Sequence, residues 1–280
     1  MWFIKGKVGK MIGGIISLFF LVVFLMYSGF YFFQDRLLFY PQGISDERIQ
    51  YIHHTYDHVE EVELQVSEEV STHGWLVHNN NRESPSPVLI YFGGNAEEVS
   101  HLIHLGEDLG DHSVLLMNYR GYGRSGGSPS EEAMFHDALH MYDYLASRDD
   151  IDGEQISVMG RSMGTGIAVY LGAERELDKI VLVSPYDSLT NVSRDRYPFL
   201  PVQWLLKHHF DNVSRAEHID TSMLTLIAEE DRIIPPSHSM KLVETWQGDA
   251  EQIIFEGRNH NNIQSSEDYW TEIANFLELD

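Results

Sequence analysis

The chain contains no cysteine among its 280 residues, and it is poor in basic side chains. The missing thiols exclude disulfide bonds, zinc sites with cysteine ligands and a cysteine nucleophile. Lys and Arg number 19 against 43 Asp and Glu, which gives a formal net charge of -24. A surface this acidic repels phosphate backbones, so we expect no nucleic-acid partner. Internal repeats are missing too, and the length suits one domain beside a membrane segment.

One long apolar run lies near the N-terminus, where residues 12–33 carry no charged side chain. As a helix this run spans about 33 Å, which is enough to cross the hydrocarbon core of a bilayer. A cleaved signal peptide is the alternative, but its apolar region is shorter and ends in small residues. This run ends in four aromatic residues, which are typical of a membrane interface. We therefore predict an uncleaved anchor over residues 12–33.

The charges that flank this run predict its orientation. Lys5, Lys7 and Lys10 precede it without any acid, whereas the acidic and basic residues that follow nearly cancel. The positive-inside rule then places residues 1–11 in the cytoplasm and the bulk of the chain on the outer, extracytoplasmic side. Residues 34–57 are predicted to be a juxtamembrane connector.

Residues 58–280 alternate short apolar runs with segments of helical spacing. Continuous apolar strands, such as residues 88–92 and 180–183, are typical of a parallel sheet buried on both faces. Alternation of such strands with helices predicts an α/β fold with a mainly parallel sheet and helices on both faces.

The alternation is interrupted between residues 183 and 223, and a structureless loop of that length is unusual in a compact domain. We predict a small, mostly helical cap over about residues 185–220. The cap is rich in aromatic residues, which line an acyl pocket in one interpretation and only pack the cap onto the core in the other. The pocket candidates are Tyr186, Tyr197, Phe199 and Trp204.

Residues 160–164 read Gly-Arg-Ser-Met-Gly, a G-x-S-x-G pattern between an apolar run and a helical one. In that context the pattern predicts a sharp strand-to-helix turn that exposes the Ser162 hydroxyl above the sheet. Glycine is needed on either side because a side chain would clash across so tight a bend. Ser162 is therefore the candidate nucleophile.

A serine hydroxyl needs a histidine to take its proton and a carboxylate to orient that histidine. In folds with this turn, the acid and then the histidine follow the serine on loops after late strands. Asp231 and His260 occupy such positions. Glu229 and Glu230 are rival acids, but Asp231 is favoured because the Ile-Ile-Pro sequence after it would fix its loop.

An acyl-transfer site also needs two backbone N–H groups to stabilise an oxyanion. One is expected from Met163, the residue after the nucleophile. The other is expected from the loop at residues 93–96, Gly-Gly-Asn-Ala, whose glycines let the backbone approach a substrate closely.

Six segments occur in the order of a known family. They are residues 33–41 (FQDRLLFYP), 91–96 (YFGGNA), 118–130 (NYRGYGRSGGSPS), 160–164 (GRSMG), 230–235 (EDRIIP) and 259–261 (NHN). On these segments the chain resembles membrane-anchored serine α/β-hydrolases of the Bem/ABHD type, a group that includes protein depalmitoylases. The resemblance implies an α/β-hydrolase fold over residues 58–280. It implies Ser162, Asp231 and His260 as the catalytic triad, with Asn95 and Met163 as oxyanion donors.

The resulting hypothesis is a serine hydrolase that cleaves a carboxylic ester or thioester through an acyl-enzyme. The expected substrates are acyl esters or thioesters, with a lipid or an acylated protein as the acyl carrier, and neither a metal nor an organic cofactor is expected. Two alternatives stay open at this stage. One is a serine peptidase of the same fold, and the other is a membrane-tethered binding module without catalysis.

Overall fold

The computed structural model describes residues 2–79, 85–105 and 109–278. Its core is an eight-stranded sheet in the order β1-β2-β4-β3-β5-β6-β7-β8. The strands are β1 (Val59–Gln65), β2 (Ser71–Val77), β3 (Ser86–Phe92), β4 (Ser113–Met117), β5 (Ile151–Arg161), β6 (Ile180–Val183), β7 (Met223–Ala228) and β8 (Ala250–Phe255). β1 and β2 pair antiparallel, as do β2 and β4, and the other neighbours are parallel. The predicted mainly parallel sheet is confirmed.

Helices cover both faces of this sheet. The described α-helices are α1 (Trp2–Leu38), α2 (Asp46–Thr55), α3 (Glu131–Ala146), α4 (Met163–Glu174), α5 (Leu189–Arg196), α6 (Val202–Leu205), α7 (Val213–Ala216), α8 (Pro236–Thr245) and α9 (Tyr269–Glu278). Short 3-10 turns occupy Val99–Leu102 and Ile263–Ser265.

Alternation along the central strand β3 explains the two layers. Val88, Ile90 and Phe92 belong to one buried cluster, which includes residues of α3, α4 and α8. Leu89 and Tyr91 point the other way into a second cluster, which includes residues of α9. A strand buried on both faces must be apolar at every position, and this is why the strand reads as a continuous apolar run.

The helix at the N-terminus is longer than the predicted anchor. α1 continues to Leu38, five residues past the predicted end at 33, and the following Pro41 prevents it from going further. The predicted connector over 34–57 therefore contains the end of α1 and the whole of α2. Ser45 begins α2 as its N-cap by accepting a hydrogen bond from the Arg48 N–H.

Three short helices, α5, α6 and α7, lie between β6 and β7, where the sequence predicts the cap. The two ends of this cap meet, because Ser188 and Asp211 form an antiparallel bridge. Between them the chain passes beside α1. The Gln34 side chain there donates to the Leu205 carbonyl and accepts from the Lys207 N–H.

Candidate active site

Ser162 lies on the turn between β5 and α4 with a positive φ of 51°. That φ is rare for a residue with a side chain and indicates strain. A Cβ at Gly160 would lie 2.6 Å from the Gly164 carbonyl oxygen, and one at Gly164 would overlap the Phe92 carbonyl. The turn therefore requires glycine at both positions. The Ser162 N–H fixes the turn to β6 by donating to the Val183 carbonyl over 2.9 Å.

The structure brings together the side chains of Ser162, His260 and Asp231. His260 Nε2 lies 2.9 Å from Ser162 Oγ, and His260 Nδ1 lies 2.7 Å from Asp231 Oδ2. Because an ionised carboxylate can only accept, Nδ1 donates to it and Nε2 is left to accept from the serine hydroxyl. This is the order of contacts that activates a serine nucleophile.

Asp231 is held by its own loop in a form suited to accept hydrogen bonds. Its Oδ1 atom accepts from the N–H groups of Ile233 (2.9 Å) and Ile234 (2.8 Å). Burial raises the pKa of Asp231, but the hydrogen bond and charge of His260, together with these N–H groups, outweigh burial. The net pKa therefore lies below its ordinary value of 3.8, and the carboxyl group is ionised at neutral pH.

The two rival acids have other positions. Glu229 accepts from the Gly257 N–H over 2.9 Å, and the side chain of Glu230 is exposed. Of the three neighbouring acids, Asp231 is the one that contacts His260.

Asn95 and Met163, whose N–H groups are the predicted oxyanion donors, both line the cavity that holds Ser162. Met163 begins α4, so its N–H has no acceptor within the helix. The N–H of Asn95 likewise has no acceptor among the described residues. The neighbouring Gly94 N–H instead donates to Glu97 over 2.7 Å. The 93–96 loop thus leaves the N–H of Asn95 available, in contrast to that of Gly94.

Two buried tyrosines, for which the sequence predicted no role, hold the 93–96 loop. The Tyr119 hydroxyl donates to the Gly93 carbonyl over 2.8 Å. The Tyr122 hydroxyl donates to the Asn95 carbonyl over 2.7 Å and accepts from the Tyr40 N–H over 3.1 Å. Both tyrosines lie in the 118–130 segment, which is specific to the family. That pattern could have marked them as important, but it does not show which atoms they contact.

A partly buried ion pair, also missed in the sequence, lies next to the nucleophile. Arg161 Nη1 lies 3.3 Å from Glu97 Oε2, and Arg161 Nη2 donates to the His260 carbonyl over 3.3 Å. Glu97 also accepts from the Tyr91 hydroxyl over 3.0 Å. Burial lowers the pKa of Arg161, but the nearby Tyr91 and Glu97 outweigh it and raise the pKa, so the guanidinium stays charged. The pair connects the 93–96 loop with the loop that carries His260.

A cavity of about 590 Å³ opens beside Ser162. Its apolar lining is formed by Leu38, Ala96, Met163, Tyr186, Leu189, Val192, Ile233 and Ile234. The size and the mixture of apolar and polar lining are typical of small-molecule sites. Across residues 2–79, 85–105 and 109–278, no group of three His, Asp or Glu side chains could hold a metal ion.

Of the four predicted pocket residues, Tyr186 is among the described residues that line the cavity. The prediction is wrong for Tyr197, Phe199 and Trp204, whose side chains are exposed and lie outside this lining. The physical reason is the path of the cap. Helix α5 presents its first turns to the cavity, and the chain after α5 turns away to contact α1.

Comparisons with known proteins identify the family. Residues 87–207 match the alpha/beta hydrolase fold. An uncharacterized protein of Mycobacterium tuberculosis is 32% identical over 191 residues, which is 68% of each chain. An uncharacterized membrane protein of Saccharomyces cerevisiae is 28% identical, and the match covers 97% of both chains. Protein bem46 of Schizosaccharomyces pombe is 25% identical over 92% of this chain and 90% of its own.

Solved structures agree on the fold. An esterase of Pyrococcus furiosus superimposes with a TM-score of 0.66 at 16% sequence identity, over 86% of this chain and 97% of its own. The resemblance stated from the sequence motifs is thereby confirmed: the chain belongs to the alpha/beta hydrolase fold family, as a hydrolase of the Bem/ABHD type with an N-terminal apolar helix.

Proposed function

We propose that the protein is a serine hydrolase that cleaves carboxylic esters or thioesters through an acyl-enzyme. The observation that carries this proposal is the continuous chain of hydrogen bonds from Ser162 Oγ through His260 to Asp231, at 2.9 and 2.7 Å. The nucleophile also lies in a cavity with an apolar part of its lining that could hold an acyl chain.

In the first half-reaction, Ser162 Oγ bonds to the acyl carbon while its proton passes to His260 Nε2. The ionised Asp231 stays hydrogen-bonded to Nδ1 and stabilises the imidazolium. The carbonyl oxygen becomes an oxyanion, for which the N–H groups of Asn95 and Met163 are the proposed donors. The N-terminus of α4 adds a positive dipole end at the same place. The bond to the leaving alcohol or thiol then breaks, and His260 gives that group its proton.

The second half-reaction releases the acid. His260 removes a proton from a water molecule, whose oxygen attacks the acyl carbon, and Ser162 leaves with the proton returned from His260. These steps use only the chain's own side chains, its backbone N–H groups and water. We assign the acyl chain to the apolar lining and the leaving group to the open side of the cavity.

Turnover of p-nitrophenyl esters and acyl thioesters of graded chain length tests this proposal. Ser162→Ala should lower turnover by about three to six orders of magnitude. Ser147→Ala, at an exposed serine after α3, is the matched control and should keep full activity. Circular dichroism checks that both variants are folded. A folded Ser162→Ala protein with wild-type activity would exclude the triad, and a wild-type protein inert on every substrate would favour a binding module.

The proposal includes membrane anchoring by α1. The span Lys10–Leu38 contains an 18-residue window with a mean hydropathy of 2.3, and none of that window is buried by the rest of the described chain. The lysines before the span favour a cytoplasmic N-terminus with the catalytic domain on the extracytoplasmic side. The acyl carrier is then a lipid or an acylated protein that reaches this side of the membrane.

A further inference from the structure

Three aromatic side chains of the cap are exposed. Trp204 is 78% exposed, Phe199 70% and Tyr197 43%, so the first two are about as exposed as Phe32 of α1, at 71%. Tyr197 lies beside Phe199, with 6.4 Å between the ring centroids. Tyr197, Phe199 and Trp204 are called the cap surface below. A group of large apolar side chains left in contact with solvent marks an interaction site.

The cap surface is fixed beside the C-terminal end of α1. Gln34 of α1 donates to the Leu205 carbonyl over 2.9 Å and accepts from the Lys207 N–H over 2.8 Å. The ammonium of Lys207 also lies 3.1 Å from the Asp35 carboxylate. These contacts are within three residues of Trp204 along the chain. The cap surface is therefore held where the apolar helix ends.

The exposure of α1 falls toward its C-terminal end. Residues 27–30 all have intermediate exposure, and Gln34 is buried. The described contacts with the cap lie at this end. Gln34 bonds to the backbone of Leu205 and Lys207, and the Lys207 ammonium lies 5.1 Å from the Tyr31 ring centroid. The cap therefore meets the end of α1 that is expected at the membrane interface.

Basic side chains border the cap surface, although the chain as a whole is strongly acidic. Arg194 and Arg196 lie at the end of α5, and Lys207 follows Trp204. Asp195, 3.8 Å from Arg194, is the one acid between residues 194 and 207, and Asp35 of α1 pairs with Lys207. Aromatic rings with a basic border match the interfacial zone of a bilayer, where rings lie among the head groups and cations contact lipid phosphates.

We propose that the cap surface is a membrane-docking site, with its three rings in the interfacial zone of the leaflet at the C-terminal end of α1. This inference rests on the proposed anchoring by α1. The docking site adjoins two elements that line the acyl cavity. α1, beside which the cap surface lies, contributes Leu38, and α5, which ends just before Tyr197, contributes Leu189 and Val192. Docking thus holds the cavity at the bilayer surface, which favours substrates whose acyl chain resides in the membrane.

Spin-label depth measurements on the full chain test this proposal, and the absence of cysteine makes single labels unambiguous. Labels are attached to Phe199→Cys and Trp204→Cys. Ile254→Cys, an exposed position on β8, is the control in water, and Phe24→Cys in α1 reports the anchor. The protein is placed in nanodiscs of equal parts phosphatidylcholine and phosphatidylglycerol. Power saturation then compares collisions with oxygen and with a water-soluble nickel chelate.

The oxygen-to-chelate collision ratio at residues 199 and 204 should exceed the ratio at residue 254 several-fold. It should approach the ratio at residue 24 in the anchor. A membrane-like ratio at residue 24 with water-like ratios at 199 and 204 would overturn the docking site and leave the anchor intact. A water-like ratio at residue 24 would overturn the anchor and the docking site with it. Labels at 199 and 204 shielded from both reagents would indicate a protein partner, such as a second copy, and would also overturn the proposal.

Discussion

Ser162 keeps its strained backbone conformation because rigid elements meet at that residue. Strand β5 pairs with β3 on one side and β6 on the other, and α4 begins immediately after the serine. His260 and Asp231 lie on loops. The N–H groups of Ile233 and Ile234 fix Asp231, whereas His260 is fixed by Asp231 and by the bond from Arg161 to its carbonyl. The nucleophile is thus positioned by the sheet, while the proposed base and acid depend on local contacts.

Removal of the Tyr122 hydroxyl tests whether this side chain positions the proposed oxyanion donor at Asn95. Tyr122→Phe removes the hydrogen bonds to the Asn95 carbonyl and from the Tyr40 N–H without creating a cavity. The bond to the Asn95 carbonyl contributes about 0.5–1.5 kcal/mol, so kcat should fall by about two- to twelvefold through loosening of the proposed oxyanion donor. Steady-state kinetics should show a smaller change in KM. Unchanged kcat would exclude this positioning role for Tyr122.

At the scale of elements, the parallel strands and the turn at Ser162 were predictable from the sequence, because each of their patterns is compatible with only one local structure. Continuous apolar strands occur where both faces are buried, and Gly160 and Gly164 are required by backbone contacts within a few residues. The cap was not predictable in the same way. A ring such as Trp204 suits an acyl pocket, a protein core or a membrane interface equally, because all three are apolar. Likewise, no local pattern shows that Glu97 contacts Arg161, since this contact depends on the sheet that brings them together.

Helix α5, rather than the aromatic segment after it, should control acyl-chain length. Val192→Trp places a large ring in the cavity and should shift the preference in the ester panel toward shorter chains. Each methylene that loses its contacts should cost about 0.8 kcal/mol. Trp204→Ala, measured in detergent solution, is the matched change outside the cavity and should leave both the preference and the melting temperature unaltered. An unchanged preference in Val192→Trp, or a shifted one in Trp204→Ala, would contradict the observed lining.

Asp187 attaches the start of the cap to α8. It accepts from the Ser188 N–H (2.7 Å), the Asn191 amide (2.6 Å) and His238 Nδ1 (2.8 Å). Burial raises the pKa of Asp187, but these three contacts outweigh burial, and the net pKa lies below its ordinary value of 3.8. At pH values above 3.8, ionised Asp187 therefore stabilises the fold. This stabilisation is lost as the pH falls through the lower pKa of Asp187 in the folded state.

The comparison of wild type with Asp187→Asn isolates this effect. The asparagine variant should be less stable at pH 5, and the difference in melting temperature from wild type should shrink as the pH is lowered to about 3. Thermal unfolding in detergent at several pH values measures it. A difference that stays constant over this range would mean that Asp187 does not titrate with a lowered pKa.

At the scale of the whole molecule, charge is distributed very unevenly. The three lysines precede the apolar span, and the remaining chain has 16 Lys and Arg against 43 Asp and Glu, a formal charge of -27. The proposed topology keeps this acidic domain on the extracytoplasmic side. A phosphatase reporter fused after Asp280 in a bacterial host should then be active, and a fluorescent reporter that folds only in the cytoplasm should be dark. The reverse pattern would reverse the orientation.

The central claim is that Ser162 is the nucleophile of an acyl-enzyme, and covalent labelling tests it most directly. The full-length protein is treated with a fluorophosphonate, which phosphonylates activated serine hydroxyls, and the site is located by mass spectrometry. The account predicts one adduct per chain on Ser162, slower labelling in His260→Ala and none in Ser162→Ala. An adduct on another residue, or equal labelling of the folded Ser162→Ala protein, would contradict it.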